Sequence, residues 1–357
     1  MGKILAIKKM QSRIFLDKRY SNRLLNFWEA QKQKRVLQSL PLSIKIPFET
    51  VCNSRCIFCN HKNEDTRLFP ASGNFNMRRY LIHQKPLNYA STIALGTFGE
   101  PFMHQGFIRA LYFIQNNYGG AKIGFSSNGT LLNKELAGKI DMIKKLYLNI
   151  SVNAADARTY AKITGIDAFH KVIKNIGLLD NIQKKNKGLT LTLSYVLIKQ
   201  NIDGVPDFIN LAASLNIREV VLMPLIITHA RLNEYSLDAA AEKAHKILRR
   251  AAGIARRRNI KLRCYNVDER IDGSGAAGGR RCYYPWKEFN IKANGDVFFC
   301  HSNIIAGNVF RQDINEIWNG KIYRMYRATV NTGNLLPICA ACPVKNRTIF
   351  SFRKLTA

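Results

Sequence analysis

The chain has 357 residues, 46% of them hydrophobic, which suffices for about two domains with a substantial core and excludes a disordered tail. No stretch approaches the roughly 18 apolar residues that span a bilayer, and no apolar block follows the first positive charges, so we expect a soluble, cytoplasmic protein without a transmembrane segment or secretion signal. Lys and Arg number 55 against 24 Asp and Glu, and the net charge of +31 is spread along the chain, which favours anionic partners but is weak evidence for nucleic acid.

Residues 1–42 are predicted to form a basic, helical N-terminal extension. Its apolar residues recur at near-helical spacing, and the pattern ends at Pro41. These residues are Leu24, Leu25, Phe27, Trp28, Val36 and Leu37. Two interpretations are open: the helix packs its apolar side on the main domain, or, with Lys and Arg flanking Trp28, it docks on a membrane surface or a partner. The second would make the protein membrane-peripheral.

From Ser43 onward, short β-rich runs alternate with longer helical stretches. The runs are Ser43–Thr50, Thr92–Thr97, Lys122–Ser127, Leu146–Val152, Leu189–Ile198 and Glu219–Leu225. The helical stretches include Gln105–Asn117, Lys134–Lys145, Asp156–Lys184 and Val205–Leu215. Six repeats of a strand followed by a helix predict an α/β fold with a parallel sheet, either open or closed into a barrel. In such folds the chemistry collects in the loops at the carboxyl ends of the strands.

The last part of the chain predicts a small second domain. The glycine-rich loop Asp272–Gly279 marks a boundary or a lid. A strand pair is expected at Phe289–Lys292 and Val297–Cys300, because an Asn-Gly turn joins the two runs. We therefore expect residues 43–265 to form the main domain and residues 266–357 a C-terminal α+β domain.

Seven of the eight cysteines fall into two groups with the spacing of metal or cluster ligands. The first group follows the first predicted strand as C-x3-C-x2-C, and the second reads C-x17-C and then C-x2-C. Three thiolates would leave one iron of a [4Fe–4S] cube open to a small ligand, whereas four would fill the coordination and suit electron transfer. A zinc site completed by His61 in the first group, or a structural zinc in the second, stays open as an alternative. The ligands are Cys52, Cys56 and Cys59 in the first group, and Cys282, Cys300, Cys339 and Cys342 in the second.

The first cysteine group resembles the cluster motif of the radical SAM superfamily, C-x3-C-x-φ-C, with Phe58 at the aromatic position. Gly99 and Glu100 resemble the family's GGEP element, although Phe98 stands where glycine is most frequent. The resemblance implies that Phe58 lies against the adenine of S-adenosylmethionine. It also implies that Gly99 lets the backbone approach this ligand and that Glu100 accepts from its ammonium group.

Two further motifs follow in the order and spacing of the same family. Asn128 lies in a segment similar to the family's TNG turn, and Ser151 and Asn153 resemble its Ser-x-Asp/Asn element, with Asn153 where Asp is frequent. The resemblance implies that these residues bind the cofactor, the last two near its ribose and carboxylate. It covers residues 43–225 and implies a partial (β/α)6 TIM-like barrel.

The second cysteine group resembles the SPASM/twitch extensions of radical SAM enzymes. Framework segments match at Tyr284–Trp286, Gly307–Val309 and Ile317–Gly320. A full SPASM domain would need three further cysteines after Cys342, and none are present. The pattern is therefore similar to the one-cluster form of the aminocyclitol dehydrogenase, which implies a single auxiliary [4Fe–4S] cluster.

The resemblance implies an enzyme that cleaves S-adenosylmethionine at an open-iron [4Fe–4S] cluster to a 5′-deoxyadenosyl radical, which takes a hydrogen atom from the substrate. If the substrate radical then loses an electron to the auxiliary cluster, the result is oxidation or cross-linking. If the substrate radical takes back a hydrogen atom on its other face, the result is epimerisation. Cys264, the cysteine outside both groups, is either a buried core thiol or a hydrogen-atom donor for epimerisation.

The expected substrates are sugar-like or anionic small molecules, glycolipids or peptides, and the expected partner is a small electron donor such as flavodoxin or ferredoxin. The basic composition leaves two alternatives: a radical enzyme that modifies RNA, and a non-enzymatic zinc protein that binds nucleic acid. Nucleic acid is not favoured, because the excess of Lys and Arg is diffuse in the sequence.

Overall fold

A computed structural model describes residues 17–46, 51–59, 85–96, 99–227, 230–264, 271–272, 281–292, 294–300, 304–340 and 342. Its centre is a sheet whose first seven strands are parallel neighbours in chain order. These strands are β1 (Ser43–Ile46), β2 (Thr92–Leu95), β3 (Lys122–Ser127), β4 (Leu146–Ser151), β5 (Leu189–Leu197), β6 (Glu219–Pro224) and β7 (Lys261–Cys264). The six predicted runs are thus strands, β7 adds a seventh, and the prediction of a partial α/β barrel is confirmed.

Helices connect these strands and cover the sheet. They are α1 (Lys18–Gln31), α2 (Phe107–Tyr118), α3 (Lys134–Asp141), α4 (Ala157–Thr164), α5 (Phe169–Lys185), α6 (Val205–Ser214) and α7 (Ala241–Arg257). Near-continuous burial along β5 is what a strand covered on both faces requires. The single helix expected over Asp156–Lys184 is two, because Gly165 adopts a left-handed φ of 69° that ends α4.

The C-terminal strands continue the same sheet. After the short pair β8 (Ile271–Asp272) and β9 (Arg281–Cys282) come β10 (Glu288–Ile291), β11 (Asp296–Phe298) and β12 (Ile305–Asn308). β10 lies parallel to β1, whereas β11 and β12 follow antiparallel, so the predicted strand pair is present. The predicted domain boundaries, after residue 42 and after residue 265, stay predictions.

Aromatic side chains form the core of this C-terminal region. Its helices are α8 (Tyr284–Lys287), α9 (Ile314–Trp318), α10 (Lys321–Thr329) and α11 (Pro337–Ala340). Trp286, Trp318 and Tyr323 are fully buried, and the ring of Phe299 stacks on that of Tyr326 with centroids 3.5 Å apart. Such burial of large rings supplies most of the stability of so small a unit.

Helix α1 packs in an unexpected orientation. Its buried residues are Asn22, Asn26, Glu29 and Ala30, whereas Leu24, Phe27 and Trp28 face solvent. The interpretation in which this apolar side packs on the main domain is therefore wrong for these three residues. Hydrogen bonds from the polar side, such as Asn22 Nδ2 to the carbonyls of Leu40 and Tyr89, hold the helix instead. Within the described residues, no helix has the length and hydropathy to cross a bilayer.

Candidate cofactor site

The loop that carries Cys52, Cys56 and Cys59 follows β1 and is held by its neighbours' backbones. Glu100 N donates to the carbonyl of Val51 at 2.9 Å, from the loop after β2. Arg55 N and Ile57 N donate to the carbonyls of Thr164 and Ile163 at 2.7 and 2.9 Å, at the end of α4. The cysteine loop is thus held on one side by the loop after β2 and on the other by the end of α4.

The turn after β3 contacts the cysteine loop through side chains. Asn128 Nδ2 donates to Asn53 Oδ1 at 2.7 Å and to Ser54 Oγ at 3.0 Å, and it lies 4.0 Å from Cys52 Sγ. Its Oδ1 accepts from Thr130 N at 3.0 Å. Asn128 therefore positions the backbone around Cys52, and its predicted direct binding of cofactor stays a prediction.

Glu100 joins the loops after β2 and β3. Its carboxylate is buried and accepts from Ser127 Oγ at 2.8 Å, from Asn128 N at 2.7 Å and from Phe102 N at 3.2 Å. Burial raises the pKa of this carboxyl, and the hydrogen bonds act in the opposite direction. Gly99 before it has φ 77°, in the left-handed region that favours glycine. Binding of a ligand ammonium by Glu100 stays a prediction.

Asn153 braces the loop after β4 against β5. It has φ 64° and is 2% exposed. Its Oδ1 accepts from Val196 N at 2.8 Å, and its Nδ2 donates to Ser151 Oγ at 2.9 Å. The predicted roles of Ser151 and Asn153 near the ribose stay predictions. Asn201, which the sequence analysis did not single out, completes the brace by donating to the carbonyls of Asn153 and Val196 at 3.1 and 2.8 Å.

We expect Asn153→Ala to lower the free energy of unfolding by about 2–3 kcal/mol. The change leaves the buried Val196 N–H without its acceptor. It also puts alanine at a positive φ, where its side chain cannot form the hydrogen bonds that stabilise asparagine there. Asn153→Asp keeps an acceptor for Val196 N and, since Ser151 can donate instead of accept, should lose less than about 1 kcal/mol. Urea unfolding of both variants measures the difference, and equal losses would contradict the brace.

Phe58 packs on a small apolar cluster at the carboxyl edge of β5 and β6. The cluster's buried members are Ile163, Val196, Ile198 and Leu225, and Phe58 is partly buried against them. An apolar surface beside an exposed ring edge suits a planar heterocycle. The predicted contact of Phe58 with adenine stays a prediction.

Tyr160 on α4 is a residue of this site that sequence reasoning missed. Its side chain is fully buried, and its hydroxyl has no hydrogen-bond partner among the described residues. Burial, followed by the charge of Cys56, raises the pKa of Tyr160 to about 12, while the Thr164 side chain acts in the opposite direction. Tyr160 is thus a buried phenol whose environment includes both Thr164 and the cysteine loop.

The thiols of the first group suit an iron–sulfur cluster in their chemistry. Three cysteines lie on one loop, and the Asn128 amide is 4.0 Å from the sulfur of Cys52. Desolvation raises the pKa of the Cys52 thiol, and the nearby charges of Glu100 and Cys59 act in the same direction. Among the described residues, no group of three His, Cys, Asp or Glu side chains is close enough to hold a single metal ion. His61, the fourth ligand of the zinc alternative, lies outside them.

The close packing of α4 against the cysteine loop provides a test. A Cβ at Gly165 would lie 2.8 Å from Arg55 Cβ and 3.0 Å from its carbonyl oxygen, at φ 69°. Gly165→Ala should therefore displace the loop, lower the melting temperature by several degrees and reduce the iron retained after reconstitution. Gly138→Ala is the control, because a Cβ there meets nothing within 4 Å and alanine favours the helix. Iron retention equal in both variants would contradict the contact.

The second cysteine group is distributed over β9, β11 and α11. Asn331 holds Cys282 from both sides, since its Oδ1 accepts from Cys282 N at 2.8 Å and its Nδ2 donates to the Cys282 carbonyl at 3.1 Å. Cys300 follows β11 with φ 51°. Cys339 is buried on α11, and Cys342 N donates to its carbonyl at 3.3 Å. None of these seven described cysteines forms a disulfide bond.

Cys264 ends β7, paired in register with Leu222 of β6. This position is at the carboxyl edge of the sheet, the edge that carries the cysteine loop. The side chain of Cys264 lies outside the described residues. Its predicted role as a hydrogen-atom donor stays a prediction.

Two family models match the chain. Residues 46–212 match the radical SAM superfamily, and residues 282–343 match the SPASM iron–sulfur cluster-binding domain. A probable GTP 3′,8-cyclase of Sulfurisphaera tokodaii is 27% identical over 210 residues, which cover 58% of this chain and 64% of the relative. One of Sulfolobus acidocaldarius is 29% identical over 183 residues, which cover 51% and 55%. The matches thus span less than two thirds of these relatives.

Solved structures share the fold. Streptococcus suis SuiB bound to S-adenosylmethionine superimposes with a TM-score of 0.67 at 16% identity, over 96% of this chain and 81% of that chain. SuiB bound to its precursor peptide SuiA gives 0.64 at 17%, over 91% and 74%. Native anSMEcpe with bound AdoMet gives 0.61 at 17%, over 80% and 83%. At these identities the likeness concerns the fold.

Proposed function

Because the chain belongs to the radical SAM superfamily through residues 46–212 and carries a SPASM domain over 282–343, we propose that it cleaves S-adenosylmethionine reductively and uses the product to remove a substrate hydrogen atom. The expected family membership is confirmed, and its cofactors are iron–sulfur clusters and S-adenosylmethionine. The observation that carries the proposal is the cysteine loop, which is hydrogen-bonded to the loops after β2 and β3 and to the end of α4.

In this proposal Cys52, Cys56 and Cys59 hold the first [4Fe–4S] cluster, with one iron left open for S-adenosylmethionine. When bound, the cluster and S-adenosylmethionine supply a carbon radical strong enough to break an unactivated C–H bond. The protein's part is positioning and exclusion of water. Asn128 and Glu100 fix the turn beside Cys52, and the apolar cluster under Phe58 keeps water from the adenine side.

We assign Cys282, Cys300, Cys339 and Cys342 to one auxiliary [4Fe–4S] cluster. Four protein ligands leave no iron open, so this cluster accepts or passes an electron rather than binding substrate. That arrangement favours oxidation or cross-linking over epimerisation. If epimerisation occurs instead, Cys264 at the end of β7 is the candidate donor, and product formed in D2O would carry deuterium that a Cys264→Ala variant cannot introduce.

The proposed substrate is an anionic small molecule or a peptide. The net charge of +31 supports an anionic substrate, and GTP, named in the probable GTP 3′,8-cyclases that the chain resembles, is such a molecule. The structure of SuiB bound to the precursor peptide SuiA supports the peptide class. A small electron donor such as flavodoxin or ferredoxin is expected to reduce the first cluster.

The proposal is tested by incubating the anaerobic, reconstituted protein with dithionite and S-adenosylmethionine. We expect 5′-deoxyadenosine and methionine in equal amounts, and none of either without dithionite. The protein should contain about eight irons and little zinc per chain. Protein with this iron content that forms no 5′-deoxyadenosine would overturn the proposal, and stoichiometric zinc would favour the non-enzymatic alternative.

A second candidate substrate, RNA, is favoured by the outer face of α7. Four arginines on this helix are exposed, and none of them lies in an ion pair with another described residue: Arg249, Arg250, Arg256 and Arg257. A clustered basic face is the usual footprint of nucleic-acid binding. RNA binding that weakens steeply with salt and is lost when these arginines become glutamine would support this candidate, whereas salt-independent or absent binding would remove it.

A further inference from the structure

Helix α1 is attached to the body of the protein by its polar side. Asn22 donates to the carbonyls of Leu40 and Tyr89, and Asn26 donates to the carbonyl of Trp286. The Glu29 carboxylate is fully buried and accepts from the backbone N–H groups of Gln38 and Ser39 and from the Ser39 hydroxyl. Burial of such groups is tolerated because most of their polar atoms have partners, with Asn26 Oδ1 as the exception. The inward face of α1 is therefore specified by these hydrogen bonds.

The opposite side of the helix presents large apolar side chains to solvent. Leu24, Phe27 and Trp28 are 46%, 62% and 47% exposed, and their spacing places them on one face. Val36, just after the helix, is 57% exposed. Surface helices of globular proteins normally have the reverse arrangement, with the apolar stripe inward. We call the surface formed by Leu24, Phe27, Trp28 and Val36 the apolar face of α1.

Cations surround this face and no acidic group of the helix opposes them. Glu29 is the acidic residue of α1, and it is buried on the far side. The basic residues on and just after the helix that are at least partly exposed are Lys18, Arg23, Lys32, Lys34 and Arg35, whereas Arg19 turns to the protein body and donates to the Tyr118 carbonyl at 3.3 Å. Lys34 Nζ lies 4.2 Å from the centroid of the Trp28 ring. The preceding residues 1–16 add Lys3, Lys8, Lys9 and Arg13 and contain no Asp or Glu.

We propose that the apolar face of α1 docks the enzyme on the surface of a bilayer containing anionic phospholipids. Leu, Phe and Trp side chains enter the boundary between head groups and acyl chains, while the surrounding Lys and Arg pair with lipid phosphates. Charge complementarity selects this occupant: a second copy of the chain would bring the same cations into contact. Nucleic acid would use the cations but leave Leu24 and Phe27 without apolar partners.

The probe is a vesicle of equal parts phosphatidylglycerol and phosphatidylcholine, with pure phosphatidylcholine for comparison. We expect the full-length holoprotein to float with the anionic vesicles and to bind more weakly as salt is raised. Trp28 reports the contact directly, because Trp286 and Trp318 are fully buried and Trp28 is the exposed one of the three. Its emission should shift to shorter wavelength on binding.

Leu24→Ser combined with Phe27→Ser should weaken vesicle binding by about tenfold or more, because two side chains no longer enter the bilayer. Both residues are exposed, so the melting temperature should not fall. Met142→Ser is the matched control, since Met142 is 66% exposed but lies at the end of α3. It should bind as the wild type does.

Three results would overturn the docking proposal. One is wild-type protein that does not bind anionic vesicles. Another is equal vesicle binding by the serine double variant and the wild type. The third is a dimer in solution that the double variant dissociates, without any vesicle binding.

Discussion

Replacing Cys52, Cys56 and Cys59 together by alanine should abolish the formation of 5′-deoxyadenosine and lower the iron content from about eight to about four per chain. The loop keeps its backbone hydrogen bonds to Glu100, Thr164 and Ile163, so the fold should persist. The loss of activity would then come from the missing cluster. Iron analysis and quantification of 5′-deoxyadenosine measure the two effects on the same sample.

The matched control removes the other cysteines. Alanine at Cys282, Cys300, Cys339 and Cys342 should also leave about four irons per chain but should retain cleavage of S-adenosylmethionine. Only turnover of the substrate should be lost, because the electron acceptor is absent. Retained formation of 5′-deoxyadenosine in the first variant, or its loss in both, would contradict the separate roles assigned to the two groups.

Arg327→Ala should lower the free energy of unfolding by about 3–5 kcal/mol, the largest stability effect we expect from a single substitution. The guanidinium is buried, and it donates to the carbonyls of Pro285 and Arg35 at 3.0 and 3.1 Å. It also lies over the ring of Trp318, 4.4 Å from its centroid. The variant would leave the buried Pro285 carbonyl and the partly buried Arg35 carbonyl without this donor, and a cavity beside the ring.

The pH dependence of this loss follows from the charge of Arg327. Burial lowers the pKa of the guanidinium from 12.5 to about 9. Below about pH 9 the guanidinium is charged in both the folded and the unfolded protein, so the full free-energy cost of burying the charge is present. Above about pH 9 the folded protein loses the proton first, and this cost to the free energy of unfolding decreases. The deficit of Arg327→Ala should therefore be constant between about pH 6 and pH 8. Arg324→Ala on the exposed side of the same helix is the control and should change stability by less than about 0.5 kcal/mol.

The sheet could be predicted because short β-rich runs alternate with helical stretches along the chain. In Leu189–Leu197 leucine alternates with Thr or Ser at the start, which is a strand pattern, and the structure buries nearly the whole strand. The motif residues could be placed at the carboxyl edge of the sheet because each motif directly follows a predicted strand. Their partners could not be predicted, because Asn128 meets Asn53 and Asn153 meets Val196 only once distant loops come together.

Two features could not be predicted from spacing. Tyr160 has the pattern of an ordinary core aromatic, and only the structure shows its hydroxyl without a partner beside the cysteine loop. The orientation of α1 could not be predicted either, since apolar periodicity usually marks the buried side of a helix. The polar side faces inward because Asn26 hydrogen-bonds to Trp286 and Glu29 to Ser39. Trp286 is distant in sequence, so this contact could not be read from the local pattern.

Electron paramagnetic resonance of the reduced protein lacking the four C-terminal cysteines is the most direct test that three thiolates leave one iron open for S-adenosylmethionine. In that variant the signal belongs to the first cluster, held by Cys52, Cys56 and Cys59. Addition of S-adenosylmethionine should change the g values, because a ligand bound at the open iron would alter that iron's environment. Identical spectra before and after addition would contradict the account.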